Sequence, residues 1–295
     1  MLEQDILISG KKKDLGGFTV SRTLPNIKRR HVGPFVFLDH MGPLQVDQEH
    51  LMSVRPHPHI GLSTVTYLFS GRGLHRDSLG SKQIISPGDL NWMTAGKGIV
   101  HSERTPSEDI TANPKKTMHG IQIWVALPTD QEECEPNFIH YPKENLPKFT
   151  LSEDLSGKLL IGRHGNTVSP VKTYSPTFFA DITVENPVYK TISISEEEIG
   201  VFLLEGEATI NEQTLSPDDL FLIAKPNEIK IKASQNTRLI FIGGKEFPEP
   251  RYIWWNFVSS RRERIREAAE QWQNQALGTV ADETDFIPLP SDPLP

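Results

Sequence analysis

Cysteine is almost absent from this sequence of 295 residues, which contains only Cys134. A single cysteine cannot form an intrachain disulfide, so we expect no disulfide framework. No apolar run approaches the roughly 18 residues that a transmembrane helix needs. The amino-terminal order, with acidic residues first and lysines after a short apolar patch, is wrong for a signal peptide. We therefore expect a protein of the cytoplasm that does not bind membranes.

The sequence also has fewer basic than acidic residues. Lys and Arg number 31 against 38 Asp and Glu, which gives a formal net charge of −7 and a pI near 5.8. Binding to nucleic-acid phosphates depends on clustered Lys and Arg, so we expect no direct nucleic-acid binding. We interpret the arginines of a predicted carboxy-terminal helix as a mainly solvated face: Arg261, Arg262, Arg264 and Arg266.

Helical periodicity is scarce before residue 255. Short runs of β-branched and aromatic residues, such as Ser63–Ser70 and Ile121–Leu127, are divided by Gly, Pro, Asn and Asp. This pattern predicts an all-β sandwich or barrel. One helix is predicted to follow a capping box at Ser260–Glu263. Five residues then fall at helical spacing on one face: Ile265, Ala268, Ala269, Trp272 and Ala276.

Two segments of the chain resemble each other. Tyr67–Met93 and Phe202–Ile223 both run strand, Gly turn, strand, and then a Ser-Pro-x-Asp-Leu turn into another apolar strand. With about 150 residues per domain as a prior, the repeat predicts two barrels of the same type. We place them at residues 1–135 and 136–277, the second with the helix. An acidic and proline-rich tail follows over 278–295, and we expect it to be flexible unless it docks.

All ten histidines lie at or before His164, so the second repeat has none. Two triplets stand out in the first repeat, His57-Pro58-His59 and His101-Ser102-Glu103. Residues i and i+2 of a strand point to the same side, so two such strands facing each other in a barrel would offer one cation three imidazoles and a carboxylate. A lone His-x-His more often belongs to packing or surface, but two chelating triplets favour a divalent transition metal over calcium or magnesium.

The sequence resembles the pirin family, whose members are bicupins of the cupin superfamily. The resemblance extends to about residue 275, is strongest in the first half, and rests on VGPFVFLDHMGP (32–43), HPHIGLSTVTYLFSG (57–71), HRDSLG (75–80), PGDLNWMTAGKGIVHSE (87–103), HGIQIWVALP (119–128) and IWWNFVSSRRERI (253–265). It implies two tandem cupin barrels of the jelly-roll type. It also implies that His57, His59, His101 and Glu103 hold Fe(II), with Mn, Ni, Co, Cu or Zn as alternatives.

The resemblance further implies an oxygenase of the quercetin 2,3-dioxygenase type, which opens the ring of a flavonol with O2. Glu103 would then be both a metal ligand and the base that accepts the phenolic proton. One alternative is a non-enzymatic, metal- or redox-responsive partner of a transcription factor or metabolic enzyme. Another is a non-redox cupin such as an isomerase or a small-molecule binding protein. The carboxy-terminal barrel lacks every histidine of the cupin pattern, so it is expected to bind no metal and to serve as a structural or partner-binding half.

One departure from the pirin pattern is Ser63, which stands where the family usually has Glu after HPHxGx, so the carboxylate must come from Glu103. Asp39 and His40 match the family signature, and they either orient a ligand imidazole or are buried structural residues. We interpret His75 and Asp77 as hairpin residues. His119 is interpreted as a satisfied core or rim histidine, with a place at the barrel mouth as the alternative.

Overall fold

The computed structural model describes residues 2–15, 17–46, 51–110 and 116–295. Its secondary structure is predominantly β, which confirms the predicted fold class. In chain order the elements are β1 (Ile6–Ser9), β2 (Lys11–Asp14), β3 (Thr19–Leu24), β4 (Phe35–Val46), β5 (Ser53–His59), β6 (Leu62–Ser70), β7 (Gly73–Asp77), β8 (Lys82–Ile85), β9 (Leu90–Thr94), β10 (Ile99–Arg104), α1 (Ser107–Ile110), β11 (Lys116–Ala126), β12 (Asn137–Tyr141), β13 (Lys148–Ser152), β14 (Leu155–Ile161), β15 (Arg163–His164), β16 (Thr167–Val168), β17 (Thr177–Val184), β18 (Val188–Ile192), β19 (Glu198–Glu205), β20 (Ala208–Ile210), β21 (Gln213–Leu215), β22 (Asp219–Ile223), β23 (Ile229–Ala233), β24 (Arg238–Gly244), β25 (Tyr252–Trp254), β26 (Phe257–Ser259) and α2 (Arg262–Gln273).

The chain forms two compact units, each assembled from separate stretches of sequence. The 144–247 unit combines Met1–Lys12, Ser21–Asp39 and Glu144–Phe247. The 40–143 unit combines Lys13–Val20, His40–Lys143 and Pro248–Pro295, so it includes α2 and the carboxy-terminal segment. These units group residues by contact, whereas the predicted boundaries near residues 135 and 277 divide the chain by sequence. Those boundaries therefore stay a prediction.

The 144–247 unit is built from two main sheets. The larger has seven strands in the order β1-β22-β19-β24-β17-β14-β13, and the smaller has the order β18-β23-β20-β21. Strand β23 shows why they pack together, because Ile229, Ile231 and Ala233 are buried while the two lysines between them are exposed. Period-two alternation of this kind turns one face of a sheet toward the core. A continuous apolar cluster from Phe149 to Phe241 fills this core.

The 40–143 unit also has two main sheets. The larger has the order β12-β9-β6-β11-β4-β3-β2, in which β2, β3 and β4 carry residues of both units, and the smaller has the order β5-β10-β7-β8. In the smaller sheet β5 and β10 are antiparallel neighbours, and His57 lies opposite His101. A shift of register follows between His101 and Glu103. This sheet carries all the candidate metal ligands.

The internal repeat is visible in the backbone hydrogen bonds. In the first copy Asp89 N donates to Ser86 O at 3.0 Å, and Gly88 N donates to Leu68 O at 2.8 Å. In the second copy Asp219 N donates to Ser216 O at 3.0 Å, and Asp218 N donates to Leu203 O at 3.0 Å. Gly88 and Asp218 both have a positive φ, as the third residue of a type II turn after proline requires. The two Ser-Pro-x-Asp turns therefore have the same conformation.

The predicted helix exists, but its predicted cap is wrong. Helix α2 begins at Arg262 with Arg261 as its N-cap, and no side chain caps it. The Ser260 hydroxyl donates to Glu132 instead, at 3.0 Å. Of the predicted apolar face, four residues are buried and Ala276 lies exposed beyond the end of the helix; the four are Ile265, Ala268, Ala269 and Trp272.

Arg264 was also predicted wrongly, as part of a solvated face. It is buried, donating from Nε to Glu133 Oε1 at 2.9 Å and from Nη2 to Lys97 O at 2.6 Å. An arginine is hidden at this point because a carboxylate and a carbonyl satisfy its donors. Within the described ranges, no helix is long and apolar enough to cross a membrane.

The segment predicted to be a flexible tail docks on the 40–143 unit. Ile287 N donates to Pro56 O at 2.8 Å, and Trp272 Nε1 donates to Ile287 O at 3.0 Å. Glu283 accepts hydrogen bonds from Ser102 Oγ at 2.9 Å and from Arg104 Nε at 3.2 Å. The carboxy-terminal segment thus contacts both β5 and β10. The composition predicts a flexible tail unless it docks, and these specific partners are the contacts by which it docks.

Glu132 provides a test of how the 40–143 unit is held together. Its buried carboxylate accepts bonds from Ser259 Oγ, Ser260 N and Ser260 Oγ, and lies 3.2 Å from Arg251 Nε. We expect Glu132→Gln to lower the free energy of unfolding by about 3 kcal/mol, because it leaves Arg251 without its buried carboxylate. Glu135→Gln is the control, since the side chain of Glu135 is 80% exposed and contacts Lys97 at the surface. Urea denaturation measures both, and equal midpoints for the two variants would contradict this account.

Candidate metal centre

Three histidines converge in the 40–143 unit. His57 and His59 lie on β5 and His101 on β10, and each offers a ring nitrogen within 4.8 Å of the other two. The ring centroids of His57 and His101 are 4.4 Å apart, and His59 lies 5.0 Å from each of them. The predicted convergence of the three imidazoles is therefore correct. The strands are paired neighbours in one sheet, however, and do not face each other across the barrel.

Burial keeps these imidazoles neutral. Desolvation lowers the pKa of His57, and it lowers the pKa values of His59 and His101 well below their ordinary range. The neighbouring imidazoles add to this effect, that of His57 acting on His59, and those of His57, His59 and His75 acting on His101. A neutral imidazole is the form that binds a metal ion. The site is thus prepared for a cation without first having to release protons near neutral pH.

Backbone carbonyls set the tautomers of two of the three rings. The Nδ1 atom of His57 lies 2.8 Å from Arg55 O, and the Nδ1 atom of His59 lies 3.2 Å from Asn256 O. A carbonyl oxygen can only accept, so each Nδ1 must carry the proton and donate it. The Nε2 atoms of His57 and His59 are then left with lone pairs. This arrangement, with the outer nitrogen bonded to the protein, is usual for histidines that bind metals.

The third ring contributes the observation that tests whether a metal fits. Within the described part of the chain, Nε2 of His101 is buried and has no hydrogen-bond partner. A buried polar atom without a partner costs free energy unless something unseen satisfies it. A cation bound by three nitrogens would do so, and three neutral imidazoles suit a divalent transition metal. The residues present therefore fit a metal ion.

Glu103 has a different setting from the histidines. Gln122 Nε2 donates to both of its oxygens, at 3.0 and 2.9 Å, and Thr66 Oγ1 donates to Oε1 at 3.2 Å. Its carboxylate is not part of the group of ligand atoms that lie within 4.8 Å of one another. A cavity of about 10 Å³ borders Glu103 and His75. The role of Glu103 as a fourth ligand stays a prediction.

The other residues singled out from the sequence fall in separate places. Ser63 is buried, and its hydroxyl lies 3.1 Å from Thr94 Oγ1. The two carboxylate oxygens of Asp39 accept hydrogen bonds from Nε and Nη2 of Arg22, each at 2.8 Å. This contact favours the interpretation of Asp39 as a buried structural residue. The Nε2 atoms of His40 and His119 lie 2.7 Å apart in a buried pair, so they share one hydrogen bond.

The sequence interpretation did not place His75, Asp77 and Gln122 beside the candidate centre. His75 and Asp77 do lie in a hairpin, formed by β7 and β8, as predicted. Both are also buried, and Nδ1 of His75 lies 3.4 Å from Nδ1 of His101. The signal was present, because His75-Arg76-Asp77 has the same i, i+2 spacing as the two triplets. Gln122 had no such signal, since its approach to Glu103 depends on the pairing of distant strands.

Comparisons with known proteins agree over nearly the whole chain. A family model described as Pirin matches residues 17–125, and one described as Pirin C-terminal cupin domain matches residues 179–278. A pirin-like protein of Caulobacter vibrioides is 40% identical over 291 residues, covering 97% of this chain and 99% of the relative.

Two further relatives are named for an activity. A Pseudomonas aeruginosa protein that carries the provisional name quercetin 2,3-dioxygenase is 34% identical over 88% of this chain and 80% of its own length. The crystal structure of a quercetin 2,3-dioxygenase from Acinetobacter baumannii has a TM-score of 0.91 and 34% identity, covering 99% of this chain and 96% of that one. The two chains therefore share one fold over nearly their whole lengths.

The lowered pKa values of the three histidines predict how the stability of the metal-free protein depends on pH. The unfolded chain takes up protons at these positions near pH 6.5, while the folded centre does not. The contribution of these histidines to the free energy of unfolding is therefore fully present above about pH 6.5 and is lost as the pH falls below it. We expect the urea midpoint with chelator present to fall between pH 7.5 and 5.5, and less steeply in a His59→Asn variant. Equal slopes in the two proteins would contradict the assignment of neutral, buried imidazoles.

Proposed function

The chain belongs to the pirin family, and from this premise we propose that it is a metal-dependent oxygenase of the quercetin 2,3-dioxygenase type. The reaction would open the central ring of a flavonol, place both atoms of O2 in the product and release carbon monoxide. The observation that carries the proposal is the convergence of three buried, neutral imidazoles, with the Nε2 atom of His101 unpartnered in the described chain. The names of two full-length relatives support the substrate class.

We propose that the Nε2 atoms of His57, His59 and His101 hold the metal, with Glu103 as the predicted fourth ligand. Iron(II) is the proposed ion, and Mn, Ni, Co, Cu and Zn are the alternatives. When bound, such an ion supplies Lewis-acid polarisation of the flavonol oxygens and, if redox-active, a path for electrons to O2. The carbonyls of Arg55 and Asn256 keep two of the rings in the tautomer that this requires.

Glu103 is the proposed base for the 3-hydroxyl proton of the flavonol. Gln122 donates to both carboxylate oxygens and Thr66 to one, so the carboxylate is held in a single orientation. A base held in place in this way accepts a proton with little reorganisation. The cavity beside Glu103, at about 10 Å³, has room for about one water molecule. A flavonol is too large for this cavity in its present size.

Removal of one imidazole tests the proposed centre. We expect the metal affinity of His101→Ala to fall at least about tenfold, because the variant lacks the Nε2 ligand atom of His101 and only two imidazoles remain. The control is His164→Ala, which removes a histidine of the other unit. Elemental analysis gives the metal content. Aerobic incubation with quercetin, followed by flavonol absorbance and carbon monoxide release, gives the turnover.

Turnover by the metal-loaded protein and its loss in His101→Ala would support the oxygenase. A protein with a filled site that turns over no flavonol with any of the six metals would overturn the activity. That result would favour the alternative, in which the pirin-like metal centre serves a regulatory partner.

The Glu103→Gln variant separates the roles of base and ligand. Loss of a positioned base costs roughly 10²- to 10⁴-fold in rate, so we expect kcat to fall by about that factor. Metal affinity should fall less than kcat does, since three imidazoles remain. Thr66→Val is the matched control, because it removes one hydrogen bond to the same carboxylate and keeps its charge. A loss of metal that accounts for the whole loss of rate would contradict the role of Glu103 as base.

A further inference from the structure

Strand β7 carries two buried polar residues beside the candidate metal centre. His75 and Asp77 lie on the strand next to β10, where Asp77 is opposite His101 and His75 is opposite Glu103. The ring of His75 stacks on Phe138, with centroids 4.1 Å apart and planes inclined by 9°. Neither residue is a proposed metal ligand, and neither is the proposed base.

A continuous chain of hydrogen-bond contacts links these residues to His101. Asp77 Oδ1 accepts hydrogen bonds from the backbone N–H groups of Leu79 and Ser81, at 2.9 and 3.0 Å. Its other oxygen, Oδ2, lies 3.0 Å from His75 Nε2. His75 Nδ1 in turn lies 3.4 Å from His101 Nδ1. The other nitrogen of the His101 ring, Nε2, has no partner in the described chain.

We propose that Asp77 and His75 are positioning residues that fix the tautomer of His101. An ionised carboxylate only accepts hydrogen bonds, so His75 donates to it from Nε2. With its proton on Nε2, His75 accepts at Nδ1, and His101 donates its own Nδ1 proton to it. His101 Nε2 is thereby left with a lone pair that would be available to a metal ion. The inference rests on the proposed metal centre but not on the oxygenase activity.

This relay explains a difference among the three imidazoles. His57 and His59 are fixed by backbone carbonyls, which no substitution can reverse. His101 is fixed by side chains alone, through two successive hydrogen bonds. The tautomer of one ligand therefore depends on whether residue 77 accepts or donates.

Asp77→Asn tests the proposal with almost no change in shape. The amide oxygen must accept the N–H groups of Leu79 and Ser81, because the NH2 group cannot. The NH2 group then faces His75 and donates to Nε2, which reverses both hydrogen bonds and moves the His101 proton to Nε2. We expect the affinity for Zn(II), measured by competition with a chelator, to fall about 10- to 100-fold. In metal-free protein labelled with 15N-histidine, the NMR shifts of His101 should change from the Nδ1–H to the Nε2–H tautomer.

Two further variants separate the relay from a merely structural role. The double variant His75→Phe, Asp77→Asn keeps a ring on Phe138 but cuts the relay, so we expect it to bind Zn(II) more tightly than Asp77→Asn alone. Asp89→Asn is the control, because Asp89 is a buried turn carboxylate of the same unit that accepts from Ser86 N and Lys143 N. It should leave the affinity within about twofold of wild type, well short of the loss expected for a group that orients a ligand.

The outcomes distinguish this proposal from the metal centre itself. An unchanged His101 tautomer together with an unchanged Zn(II) affinity in Asp77→Asn would overturn the relay. A double variant that binds no better than Asp77→Asn would also overturn it, since only the relay predicts recovery. If the wild-type protein binds no Zn(II), the metal centre fails, and the NMR shifts of metal-free protein still decide whether the relay exists. If Asp77→Asn does not fold, His75→Phe alone should leave His101 as a mixture of tautomers, and a single Nδ1–H form would overturn the proposal.

Discussion

The pairing of β5 with β10 is the constraint on which the candidate site depends. Because His57 lies opposite His101 in this antiparallel pair, His-x-His on one strand and a third histidine on its neighbour become a single cluster. A slip of one residue would turn one strand's histidines away from the other's. The same pairing buries all three rings, which lowers their pKa values and keeps them neutral. Geometry and protonation state thus have a common origin.

Much of this could be predicted from the sequence because it is local. The i, i+2 spacing in a strand predicts which side chains share a face, and the Ser-Pro-x-Asp turns predict two copies of one hairpin. The capping box at Ser260 failed because a distant carboxylate, Glu132, takes the serine hydroxyl. Arg264 is buried for a similar reason, through Glu133 and the Lys97 carbonyl. Contacts with partners far along the chain leave no local pattern, which is also why Gln122 was missed.

The two copies of the repeat share a turn but not a chemistry. Gly88 and Asp218 adopt the same backbone conformation, and their N–H groups bind equivalent carbonyls. Yet the second copy places apolar residues such as Leu203 and Phe221 in its core, and it has no histidine. The fold alone therefore does not create the candidate metal centre. The candidate centre depends on imidazoles at three positions, which the fold brings within reach of one another.

The carboxy-terminal segment has a consequence for the strand that carries His101. Glu283 holds Ser102 and Arg104, the residues that alternate along β10 with His101 and Glu103. One face of β10 therefore carries residues of the candidate site, and the opposite face binds the carboxy-terminal segment. A protease that cuts ahead of Glu283 would release this support, and it would also remove Leu289 from the apolar cluster around Trp272. The last residues of the chain therefore support the strand that carries His101 and Glu103. Their loss would affect the candidate metal centre without changing any residue in it.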